Sequence, residues 1–178
     1  FQVEQLEVAK AEVIRRMNLI AKEDEFKEDF KLLRGVKGFG PVISFIVLAE
    51  IADFSRFKKS DYIASYTGLT ERTNESAGNR KTGHISRCGN ATLRWALVEA
   101  TTTLIREDQT YKALHERLVK NMGGPNGGNK GKAKVAVAQK LIRRVWKMMQ
   151  TREPFRSGES TDHQSKLNKA RLSKKKGA

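Results

Sequence analysis

The chain has 178 residues, enough for one well-packed domain with an appendage and too few for two large domains. Thirty-five Lys and Arg against 20 Asp and Glu leave a formal charge of +15, on a background of 38% hydrophobic residues, so the expected partner is a polyanion bound in a salt-dependent way. One cysteine, Cys88, excludes an internal disulfide and a cysteine-built zinc site, and no apolar run approaches the roughly 20 residues that cross a bilayer. The first twenty residues are charged throughout and do not form a signal peptide, so a cytoplasmic, nucleoid-associated protein with no membrane partner is expected. The first residue is Phe rather than Met, which reads as a piece of a longer protein. The histidines, His84, His115 and His163, are scattered, and no metal site is expected in this chain.

Residues 1–28 read as one charged helix. Leu6, Val13 and Ile20 recur every seven residues, and Val3 and Met17 add a second row that Lys10 interrupts. That seam fits either the end of an inter-domain or dimerising coiled coil, or an amphipathic helix lying on the domain. From Asp29 the pattern changes. Leu32 and Leu33 end a short helix, Gly38-Phe39-Gly40 makes a tight turn, and Pro41 takes a first helical position. Val42, Ile43, Phe45, Ile46, Val47, Leu48 and Ile51 then make a helix apolar nearly all round, which is expected to be buried.

A turn over 53–57 leads into a short capped helix over 60–66 that ends at Gly68. Residues 69–89 are polar, contain glycine and lack helical periodicity, so they read as an extended loop or a small hairpin. Asn90 is a good N-cap for a helix whose apolar residues are Leu93, Ala96, Leu97, Ala100 and Leu104. Another helix is expected over about 109–121, a flexible glycine-rich loop over 123–129, and a last strong helix over about 132–150 with Ala138, Leu141, Ile142, Val145 and Met149 on one face. Residues 156–178 carry seven basic and two acidic side chains and read as a disordered basic tail. The fold class is therefore mainly α, with a domain over 29–155.

Two segments carry chemistry. A helix, a Gly-x-Gly turn and a helix opening with Pro form the helix-hairpin-helix pattern, here over about 30–52. Its glycines let the backbone come close to a phosphate, and the leading amides and dipole of the second helix favour an anion. Lys37, Gly38, Phe39 and Gly40 are the candidate contacts, of a kind that positions a protein on DNA or RNA without reading sequence. The second segment is the Gly-containing basic loop around Ser76, with Arg72, Arg80, Lys81 and Arg87 supplying positive charge for a developing phosphorane. A serine hydroxyl needs a base or metal to become a nucleophile, and His84 is the only local base candidate. From the residues alone, Ser76 reads as an ordinary polar loop residue.

Several runs, in order, resemble one family. They are 32–41 at the hairpin, 49–57, 64–69, Ser76 with Gly78, 83–90 followed by Leu93-Arg94, and 133–141. Over roughly 30–155 the chain resembles the C-terminal transposase domain of the insertion-sequence transposases of the IS116/IS110/IS902 group. The resemblance implies a DNA transposase in two parts. A RuvC-like N-terminal domain would hold Mg2+ on Asp and Glu carboxylates, and the C-terminal domain would supply a serine that links covalently to the DNA end. It further implies a tetramer and a structured guide (bridge) RNA. By position Ser76 is the implied nucleophile, Ser86 its rival, and Arg94 an added nucleic-acid contact. Lys37 stands where the family often has Pro, Phe39 where it has Ile, and Ala77 where a Gly is common. No RuvC-like domain lies in this sequence, so the fragment alone is expected to be inactive. The alternatives are a helix-hairpin-helix module that binds DNA or RNA without chemistry, and a basic structural protein of a ribonucleoprotein that binds through its tail.

Overall fold

A computed structural model describes residues 2–76, 79–85, 88–126 and 128–157. Seven helices are described: α1 (Gln2–Ile20), α2 (Asp24–Arg34), α3 (Pro41–Ile51), α4 (Ser60–Tyr66), α5 (Ala91–Glu107), α6 (Gln109–Asn121) and α7 (Asn129–Thr151). A 3-10 turn, Phe54–Arg56, precedes α4, and two antiparallel strands, β1 (Glu71–Ser76) and β2 (Asn79–Ile85), stand between α4 and α5. The protein is mainly α, as its periodicity predicts.

α7 is the spine. Its apolar residues return every three or four positions, and Ala133, Val137, Ala138, Leu141, Ile142 and Val145 are all fully buried. Against this stripe pack α2, α4, α5, α6 and the 3-10 turn. Two polar side chains on α7 fix the turn: Trp146 Nε1 donates to Phe57 O at 2.9 Å and Gln150 Nε2 to Phe54 O at 2.8 Å. Buried hydroxyls find carbonyls within their own elements, Thr101 on Leu97 O at 2.7 Å and Thr67 on Ala64 O at 2.7 Å. Tyr111 is buried where α6 meets α7, stacked on Phe155 with Arg144 over its ring. Burial pushes its hydroxyl pKa up to about 12, against a smaller opposing pull from Arg144.

Two expectations need correction. Residues 1–28 are not one helix: α1 stops at Ile20, Ala21 to Glu23 turn the chain, and α2 begins at Asp24. The break serves the core. Ala21 is buried, and Phe26, Phe30 and Leu33, spaced by four and three, face the domain along an axis of their own. Asp24 and Glu25 sit favourably in the new first turn. Nor is α3 buried all round. It buries Ser44, Val47, Leu48 and Ile51, while Val42 is left exposed. α1, α2 and α5 pack around it and leave one narrow strip, Val42 and Ala49, open to solvent. Leu6, Val13 and Ile20 of α1 are exposed.

Candidate nucleic-acid interface

The turn between α2 and α3 is pulled tightly onto α5. Gly35 closes α2, Val36 N donates to Leu33 O at 3.0 Å, and Phe39 N donates to Val36 O at 2.9 Å. Gly38 has φ of +88°, and a Cβ there would lie 2.3 Å from the carbonyl oxygen of Ala100. Glycine is therefore required by backbone packing as well as by conformation. Phe39 points the other way, into the core, and its carbonyl accepts from Arg34 Nη1 and from Ser44 Oγ at 3.4 Å. Of the four hairpin candidates, Phe39 thus holds the turn in place and offers no ring to a partner. Gly40 is different. It is the N-cap of α3 in an extended conformation, with no atom within 4 Å of where a Cβ would stand. The leading amides of a helix have no intrahelical partner, so this open end is the part of the turn that can accept an anion.

Lys37 reaches towards α5 and α6. Its Nζ donates to Glu107 O at 3.2 Å and lies 3.8 Å from the Asp108 carboxylate. Asp108 is buried and caps α6 by accepting from Thr110 N at 3.0 Å and Tyr111 N at 3.3 Å. With about half its side chain exposed, Lys37 keeps one side open to solvent.

Ser76 ends β1 and pairs with Asn79, the first residue of β2. Arg80 is registered against Glu75 and Lys81 against Asn74. Register shifts between Glu71 and Thr73, so Arg72 falls at an irregularity in the ladder. His84 lies in β2. Ala77, Gly78, Ser86, Arg87 and the tail from 158 onward lie outside the described residues.

The two ends of this strand pair are held together. Gly89 packs so closely on the incoming chain that a Cβ would be 2.5 Å from Gly68 N and 2.9 Å from Tyr66 O. Asn90 N donates to Tyr66 O at 2.9 Å. The Asn90 side chain works in two directions: Oδ1 caps α5 by accepting from Leu93 N at 2.8 Å, and Nδ2 donates to Glu50 Oε2 at 2.5 Å. Tyr66 OH donates to Glu50 O at 3.1 Å, which ties α3, α4 and α5 at one point. Arg94, also half-buried, donates to Thr67 O at 3.4 Å. In the sequence, Glu50, Tyr66 and Gly89 show no chemistry that marks them as functional. Their only signal was membership of the runs that carry the family resemblance.

Among the described residues no group of three His, Cys, Asp or Glu could hold a metal ion, and no helix is long and apolar enough to cross a membrane. The described residues offer no carboxylate set that fits Mg2+.

The sequence that builds this turn, strand pair and helix is similar to that of transposases. The family described as Transposase IS116/IS110/IS902 family matches residues 30–116, which run from the second half of α2 into α6. The chain is 32% identical over 129 residues to the transposase y4pF/y4sB of Sinorhizobium fredii, covering 72% of this chain and 33% of that protein. It is 26% identical over 131 residues to the transposase for insertion sequence element IS1111A of Coxiella burnetii, covering 74% and 35%. A family 20 transposase of Pseudomonas aeruginosa is 23% identical over 155 residues, covering 87% and 45%. Residues 30–116 belong to the IS116/IS110/IS902 transposase family. The chain spans about a third of the length of the first two curated relatives.

Proposed function

We propose that this chain is the serine-bearing, DNA-contacting part of a DNA transposase. The observation that carries the reading is the family match over residues 30–116, which takes in both the Gly-x-Gly turn and the strand that ends at Ser76. In this reading the open N-terminal end of α3 at Gly40, with Lys37 beside it, takes a DNA phosphate. Ser76 Oγ attacks a DNA phosphodiester, the bond to the leaving 3′ or 5′ oxygen breaks, and the DNA end becomes covalently attached to the serine. Arg72, Arg80, Lys81 and Arg87 answer the charge that builds on phosphorus. Activation of the hydroxyl falls to groups outside this chain, which the resemblance expects to be Mg2+-binding carboxylates of a RuvC-like domain. The exposed row Leu6, Val13 and Ile20 on α1 suits the end of a coil joining the two parts in a tetramer. A structured guide RNA completes the expected assembly.

The test is covalent trapping. A RuvC-like half is fused ahead of the chain, and Mg2+, guide RNA and labelled donor DNA are added to wild type, Ser76→Ala and Ser86→Ala. A denaturant-resistant protein–DNA adduct missing only from Ser76→Ala is the expected result. Loss only in Ser86→Ala moves the nucleophile. DNA binding with no adduct from any variant leaves a binding module without chemistry.

A further inference from the structure

An open groove of about 640 Å3 is lined by Phe57, Tyr62, Ser65, Tyr66, Cys88, Gly89 and Asn90. Three of these seven residues are aromatic, and at one edge the Asn90 side-chain amide donates to the Glu50 carboxylate. Phe57 and Tyr66 form a tilted pair with centroids 5.5 Å apart, and the Arg56 guanidinium lies 4.7 Å from both ring centroids. Those contacts leave the ring of Tyr62 unused. Its residue is 53% exposed although it lies on the groove wall. Exposed Lys58 and Lys59 follow Phe57 directly, so positive charge gathers at that end. The acid nearest Tyr62 in sequence, Asp61, is already paired with Arg143 at 2.9 Å.

We infer that this groove holds an unpaired base of single-stranded DNA, stacked on Tyr62. An uncovered aromatic face beside cationic side chains suits an unpaired nucleotide, whose base has a free π-face and whose phosphate is negative. A duplex cannot use the site, because its base faces are already stacked on one another. The Ser65 hydroxyl can donate to or accept from a base edge. The groove adjoins the chain three residues beyond the end of β2, at the base of the strand pair and away from the turn end where Ser76 lies. The occupant is assigned as DNA because the inference rests on the reading above, in which this chain is the DNA-contacting part of the transposase.

Cys88 makes the test direct. It is the sole cysteine, it is exposed, and it lines the groove. Alkylation of the thiol is timed in the whole chain alone, with an oligo-dT strand, with an abasic strand of the same length, and with a duplex. Oligo-dT is expected to slow alkylation at least about five-fold, and the abasic strand much less, since one stacked base contributes about 1–3 kcal/mol. Tyr62→Ala is expected to abolish the difference and Tyr62→Phe to keep it, with duplex affinity unchanged in both. Equal protection by the abasic strand, or full protection in Tyr62→Ala, overturns the inference while leaving DNA binding intact. Stronger protection by oligo-rU overturns the assignment to DNA. Protection that grows with protein concentration in the absence of DNA means a second copy fills the groove. Loss of all binding, duplex included, overturns the transposase reading itself.

Discussion

The side-chain amide of Asn90 donates to the Glu50 carboxylate across 2.5 Å, joining the last turn of α3 to the N-cap of α5. The two partners stand forty positions apart in the chain, and both strands loop out between them. The strand pair is therefore fastened at its base to the helix that begins at the Gly-x-Gly turn. Asn90→Ala removes the α5 cap and leaves the Glu50 carboxylate without its donor, at an expected cost of about 2–3 kcal/mol. Asn90→Ser keeps a capping oxygen and is expected to recover about half. Urea midpoints for the three proteins check this, with Glu50→Gln as a partner whose amide can still face Asn90.

The two glycines of the turn separate folding from binding. Gly38→Ala combines a left-handed backbone with a Cβ 2.3 Å from a main-chain oxygen, and about 2–4 kcal/mol of stability is expected to be lost. Gly40→Ala meets no atom within 4 Å and is expected to fold with stability within about 1 kcal/mol of wild type. Its methyl group would still stand where a phosphate approaches. Duplex affinity at low salt is expected to fall about ten-fold, the loss of one charge-assisted hydrogen bond. An unchanged affinity in a well-folded Gly40→Ala protein would remove the turn from the DNA-binding surface.

Much of this was legible from periodicity. Leu93, Ala96, Leu97, Ala100 and Leu104 on α5 are all buried, as are Ala138, Leu141, Ile142, Val145 and Met149 on α7. A helix face records only that something apolar covers it, and that is a local property. What lies opposite is not local. Gly38 carries a turn signal in its own neighbourhood, yet its tightest constraint comes from Ala100, sixty-two residues later. Phe39 reads as part of a phosphate-binding turn because glycines flank it, and nothing nearby in the chain reveals that its ring enters the core. The break at residues 21–23 is illegible for the same reason, since no Gly or Pro marks it and what accompanies it is the burial of Ala21 and the packing of half-buried Phe26. The clasp of Glu50, Tyr66 and Gly89 was invisible as chemistry, being made of long-range contacts among ordinary residue types.

Lys37 and Asp108 divide a structural task from a binding one. Asp108 is buried and caps α6, so Asp108→Ala is expected to cost about 2 kcal/mol, with most of that restored in Asp108→Asn. Lys37 is half exposed, and Lys37→Met is expected to cost less than about 1 kcal/mol. Its effect on DNA is the sharper measurement. If the ammonium leaves Glu107 O for a phosphate, the slope of log affinity against log salt shrinks by about one in Lys37→Met. An identical slope assigns Lys37 to the α5–α6 junction alone.

Tyr111 sets a limit on stability at high pH. Its folded pKa of about 12 stands above the ordinary value near 10, chiefly because burial disfavours the phenolate. The unfolded chain therefore gives up this proton first, near pH 10, while the folded chain keeps it to about 12. The contribution is complete below pH 10 and is lost as pH rises through 12, at about 1.4 kcal/mol per pH unit and about 2–3 kcal/mol in total. Tyr111→Phe has no proton to lose, yet it shares every lysine with wild type. The difference in unfolding free energy between the two proteins is expected to be flat from pH 7 to about 9.5 and then to shift steadily against wild type up to pH 12. A difference that stays level across that range would place the hydroxyl in contact with solvent.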